Sequence, residues 1–120
     1  MIVTSKMRTK LTTEQSLHLV KLGVPTEMAS EIEEYDDSIS QWTHRGAPIF
    51  TLTDILDILP KEIEQNNKSY NLVILGFDSY WYADYVHGKH YLSLISEYEL
   101  IDALYELICW YYGEHLKSEK

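Results

Sequence analysis

The chain has 120 residues, 45% hydrophobic and 24% charged, which is the size and composition of one ordinary globular domain. Its single cysteine excludes an internal disulfide, and no apolar run approaches the ~20 residues needed to cross a bilayer. The net charge of −9 is unevenly spread: Lys6, Arg8 and Lys10 stand in a first decade without acids, which leaves 7 basic against 19 acidic residues in the rest. A body this acidic repels a phosphate backbone, so nucleic acid is not an expected partner.

Residues 1–10 read as a flexible N-terminal tail, and residues 11–120 as a single α+β domain. The first ten residues carry no signal-peptide pattern, and together with the lone cysteine this points to the cytoplasm. A first helix is predicted over about 13–22. Thr12 caps it, Gln15 completes a capping box three residues on, and Gly23 ends it. Val24 then packs back on Leu19. The stretch "TEMASEIEEYDD" carries six acids and no base between Glu27 and Asp37 and reads as a short acidic helix. Residues 39–44 are a candidate strand, with a turn from Gly46 to Pro48.

Thr51 caps a second helix over about 52–59, and Phe50 staples onto Ile55. Leu52, Ile55, Leu56 and Leu59 recur at one helical face. Pro60 closes it, and "KEIEQNN" reads as a turn and a polar loop. "YNLVILG" is a β run, apolar on both faces, and "YWYADYV" returns, so residues 70–86 form a hairpin. Alternation puts Tyr80, Tyr82, Asp84 and Val86 on one face and Trp81, Ala83 and Tyr85 on the other. A last helix over about 97–112 is capped by Ser96, with Glu99 closing the box and Gly113 as its stop. Leu100, Ile101, Leu104, Leu107, Ile108 and Tyr111 form one stripe along it. The expected fold is a small antiparallel sheet, the hairpin plus residues 39–44, packed by three main helices.

"KLTTEQSLHLVKLGVP", "FTLTDILDILPKEI" and "ELIDALYELICWYY", with "WYADY" between them, are similar to blocks in a family of small uncharacterised bacterial proteins. These are often encoded in prophages and mobile elements of anaerobic gut bacteria. The resemblance covers most of residues 8–116, and the order of the blocks is more specific than any one block. It implies a mobile-element accessory protein and carries over no catalytic position.

Chemistry-bearing motifs are sparse. Asp84, His87 and His90 are the candidate metal or small-ligand residues, but a strand end and a loop do not fix the geometry that zinc requires. No paired cysteines, HExxH or glycine-rich phosphate loop occurs, so no cofactor is expected. Cys109 lies late in an acidic helix, where thiolate is disfavoured. One face of the hairpin packs on helices, so the other presents Tyr80, Tyr82 and Asp84 outward, and the loop after the hairpin completes the expected docking surface. Tyrosine-rich patches of this kind mark interfaces. The leading expectation is therefore a non-enzymatic protein that acts through a protein partner or self-association. Two alternatives remain open: a metal- or small-ligand-binding protein or enzyme using Asp84, His87 and His90, and an acidic decoy of a nucleic-acid-binding protein.

Overall fold

The computed structural model describes residues 7–33 and 46–116. The protein is α+β, with three helices and antiparallel sheets. Helix α1 spans Thr13–Leu22. Thr12 Oγ1 accepts the Gln15 N–H at 3.1 Å, and Gln15 Oε1 accepts the Thr12 N–H at 3.0 Å, the reciprocal capping box that satisfies two orphan donors. Gly23 ends the helix at φ 110, a left-handed conformation open to glycine without a Cβ penalty. The Val24 N–H then bonds the Leu19 carbonyl at 3.0 Å, and both side chains are buried.

Among the described residues, the acidic helix expected after Pro25 does not form. Thr26–Met28 is a single 3₁₀ turn, and Glu31–Glu33 is a strand, β1. Like charges without basic partners weaken a helix, whereas the strand has a ready partner in β2, Ala47–Ile49. Gly46 takes φ 79, but Ala47 and Pro48, expected in a turn, belong to β2. The strand expected at 39–44 lies outside the described residues.

Helix α2 spans Leu52–Ile58, with Thr51 and Asp54 forming a second capping box. Asp54 does more than cap. Its Oδ2 also accepts the Ser30 N–H at 2.8 Å and the Ser30 hydroxyl at 2.9 Å, tying the start of β1 to the helix end. Burial opposes its ionisation, but these hydrogen bonds prevail and hold its carboxyl below the ordinary range.

The inner end of the expected tail is anchored. The Thr9 carbonyl accepts the Leu52 N–H at 2.7 Å, and Lys10 bridges to Thr51. Arg8 reaches Glu99 at 2.9 Å and Asp102 at 3.3 Å. Main-chain pairing and two carboxylates thus hold residues that composition alone assigns to a tail.

The large sheet has five antiparallel strands: β3 (Glu62–Gln65), β4 (Lys68–Gly76), β5 (Trp81–His87), β6 (His90–Tyr91) and β7 (Ile95–Glu97). "KEIEQNN" is a strand and a tight turn, not a loop. Asn66 and Asn67 both adopt positive φ, 54 and 64, as a two-residue hairpin turn requires. Strands β6 and β7 pair in succession along the same side of β5.

Helix α3 spans Leu100–Trp110, three residues shorter at its start than expected. Ser96 does not cap it. Residues 95–97 pair with β5 instead, with Trp81 opposite Glu97 and Tyr82 opposite Ser96. Strand pairing satisfies more backbone groups than one cap, which contributes only about 1 kcal/mol. Gly113 does not stop the helix either. Tyr111–His115 continue it as a π-helical turn, and His115 is buried, stacked on Trp110 and Tyr111 with Nδ1 3.0 Å from Gln65 Oε1.

One apolar cluster joins these parts. Leu19, Phe50, Ile55, Leu59, Ile63, Tyr70, Ala83, Tyr85, Ile101, Leu104, Leu107 and Ile108 are all buried in it. Helix α3 packs on the large sheet through β5 and β7 and also touches α1 and α2. The Tyr85 hydroxyl, at the sheet's inner face, finds its partner in the Pro60 carbonyl at 2.7 Å.

Candidate functional site

The strand register defines two faces. Leu72 opposes Tyr85 and Ile74 opposes Ala83, which places these four on the inner face under α3. Val73 opposes Asp84, Leu75 opposes Tyr82, and Val86 lies between Asn71 and Tyr91, which places these on the outer face. Tyr80, two residues before Tyr82, continues the outer row and stacks on Phe77 with ring centroids 4.7 Å apart. The expected division of the hairpin into two faces is therefore present.

Its outer face differs from expectation at Asp84. That side chain is fully buried, because the chain between β6 and β7 folds over it. Asp84 Oδ1 accepts N–H groups from Tyr85 at 2.7 Å, Ser93 at 2.8 Å and Leu92 at 3.2 Å, and the Ser93 hydroxyl at 2.8 Å. Oδ2 accepts the Tyr82 hydroxyl. Burial works against the charge, but these donors outweigh it and keep the carboxyl below the ordinary range. The Tyr82 phenol is pushed up, by burial first and by its bond to Asp84 second. Asp84 is thus a clamp that shapes the surface, not a group presented on it.

The clamp has a visible consequence. Leu94 leaves it at φ 52, a conformation that is uncommon for a branched apolar residue, with its side chain 67% exposed. Leu75 is 47% exposed and Tyr91 51%, while Tyr80, at 39%, is more open than the half-buried Tyr82. Tyr80 and Tyr98 border a hollow of about 270 Å³ beside Ser79, Ser96 and Glu97. The centre of this face carries no free charge, since its one acid is buried and fully bonded. β1, the part of the acidic segment 26–37 that is described as a strand, pairs with β2 in a separate two-stranded sheet.

Asp84, His87 and His90 are not brought together. Asp84 and His87 are three residues apart on one strand and so point to opposite faces. His87 packs against Tyr70, and its Nδ1 lies 2.8 Å from the Ser69 carbonyl. His90 pairs with His87 across the turn, its Nε2 3.4 Å from Lys68 Nζ. Among the described residues, no group of three or more His, Cys, Asp or Glu side chains is arranged to hold a metal ion.

A second hollow, about 720 Å³, lies between α1, α3 and the β6–β7 connection, lined in part by His18, Tyr105, Glu106 and Cys109. Burial pushes the Cys109 thiol up to about 11, and Glu106 adds to this against a hydrogen bond with Tyr105. The thiol is therefore protonated at neutral pH and a poor nucleophile. Glu106 is pushed up to about 7, first by its hydrogen bond to Glu97, then by burial and by the charges of Glu97 and Asp102.

Sequence reasoning placed the loop after the hairpin in the docking surface but did not single out Ser93, Leu94 or Tyr91. Their role depends on Asp84, nine residues from Ser93, and no local motif announces it. No helix among the described residues is long and apolar enough to cross a membrane. Comparisons with protein-family models, curated proteins and solved structures give no match.

Proposed function

We propose that this is a non-enzymatic interaction protein that docks a protein partner on the outer face of its large sheet. The observation that carries this reading is the exposed group of Tyr80, Tyr91 and Leu94 around a centre without free charge, in a chain of net charge −9. Aromatic side chains are enriched and charges depleted at the centres of protein interfaces. The positive φ of Leu94 supports the same reading. Strain of this kind persists where the surroundings impose it, and here it holds an apolar side chain out in water. The acidic body disfavours nucleic acid as the partner. Similarity of four sequence blocks to prophage-borne proteins supplies the setting: an accessory protein of a mobile element, acting in the cytoplasm.

The test is a double change, Tyr91→Ser with Leu94→Ser, compared with the unaltered protein in pull-downs from the native host. Both side chains are exposed, so the melting temperature stays within a few degrees. Proteins captured by the unaltered chain are lost from the variant. Capture of the same proteins at the same level, by a variant that remains folded, overturns the proposal.

A further inference from the structure

Strand β4 is longer than the strand that borders it. β3 pairs only with Lys68–Asn71, and the Leu72 N–H reaches the Lys61 carbonyl at 2.8 Å. From Val73 to Gly76, β4 has β5 on one side and no strand among the described residues on the other. In an antiparallel ladder, alternate residues direct their N–H and C=O to the same side. Because Leu72 faces the β3 side, Ile74 and Gly76 face it too, and no main-chain partner among the described residues meets them there.

This stretch lacks the devices that blunt an edge. Such devices include charged side chains, proline and bulges. β3 carries Glu62 and Glu64 along its own length, whereas "NLVILGF", residues 71–77, has no charge and no proline. The chain is strongly acidic elsewhere, so this is a segment where two copies approach without like charges opposing each other. Leu75 and Phe77 are about half exposed beside it.

We infer that the open edge of β4 pairs with the same edge of a second copy of this chain, about a two-fold axis at Leu75. The register follows from the open groups. Ile74 meets Gly76 of the second copy, each pair exchanging both main-chain hydrogen bonds. Leu75 meets the second copy's Leu75 at the intervening close pair, and Val73 meets its Phe77. All of these contacts are apolar or main-chain, and the arrangement closes on itself, as an isologous interface must. The same axis carries the turn at Asp78 of each copy toward the Lys61 end of the other, acid to base. Neither Asp78 nor Lys61 has an ion-pair partner within the described chain. The two sheets become one, and the two outer faces lie side by side.

The edge inference stands apart from the docking face, because Tyr91 and Leu94 lie across β5 from β4. The experiment is a mass measurement by sedimentation over a concentration series, on the unaltered chain and on Leu75→Lys and Leu75→Glu. Leu75 is exposed in the single chain, so both variants stay folded and lose only the melting temperature that dimerisation itself contributes. The unaltered chain is a dimer, each variant alone is a monomer, and an equimolar mixture of the two variants recovers the dimer. Recovery on mixing requires residue 75 to face residue 75. Glu64→Lys, on the β3 edge, leaves the dimer mass unchanged. The inference is overturned by a chain that is monomeric at every concentration or that grows without a fixed stoichiometry. It is equally overturned by variants that dimerise alone or fail to pair when mixed, and by a monomer that takes up an extended apolar peptide along β4. Loss of partner capture in the Tyr91→Ser, Leu94→Ser chain with its dimer intact separates the two proposals.

Discussion

The two faces of the large sheet use the same strand, β5, in opposite ways. On the inner face, Ala83 and Tyr85 are buried because a whole helix lies over them. On the outer face, Asp84 is buried just as fully, but by a short connection that one carboxylate gathers in. The inner face is sealed by apolar area, which is non-directional and tolerates no partial cover. The outer face is sealed at a single point by directional bonds, and Leu75, Tyr91 and Leu94 around that point stay open. Burial at position 84 therefore does not make the outer face a core, nor do the exposed tyrosines make Asp84 a surface group.

The contrast is broken most directly on the inner side. Leu104 is fully buried at the centre of α3, and Leu104→Ala is expected to cost about 2–5 kcal/mol in chemical denaturation. A change below half a kcal/mol would mean that α3 does not seal the inner face.

Asp84→Asn tests the outer side. Asparagine keeps the shape but turns an N–H₂ toward donors, so each buried group left unpaired costs about 1–3 kcal/mol. The folded-state pKa of Asp84 lies below its ordinary value, so its contribution is present above that value and is lost as pH falls through the folded one. The variant is expected to be less stable at neutral pH and to lose part of the acid-induced decline. In hydrogen exchange, the Leu92 and Ser93 amides should lose protection while those of α3 keep theirs. Equal loss in both places would show that the two faces are one cooperative unit.

The smallest effect is expected where the faces adjoin, at Glu106 of α3 and Glu97 of β7. Glu106 holds its proton from the ordinary value of 4.5 up to about 7. Across that window the folded chain binds more protons than the unfolded one, so this pair lowers stability as pH rises. Glu106→Gln is expected to raise the melting temperature slightly above pH 7, with little change below pH 4.5. Glu106 is solvent-exposed, so added salt should shrink the difference. Parallel pH profiles of the two proteins would mean that the carboxyls do not interact.

Much of the fold was legible because its signals are local. The box at Thr12, the cap at Thr51 and the left-handed Gly23 lie within a few residues of what they control. The candidate site was legible only in part. Alternation separated Tyr80 and Tyr82 from Trp81 and Tyr85, but it could not reveal that Asp84 lies beneath Ser93. The same limit explains β7. "ISE" followed by a helical stripe reads as a cap, until the open side of β5 is there to pair with it.

The sequence by itself determined the existence of the three main helices, the central hairpin and the division of β5 into two faces. Helical and strand periods act over neighbouring residues, and a cap or a turn is satisfied within one loop. Only the tertiary structure decided which neighbours a strand acquires, where α3 begins and what covers each face. Those outcomes depend on backbone groups and apolar surface brought together from distant positions. The same Ser96 that a local rule assigns to a helix cap is therefore held across the sheet from Tyr82.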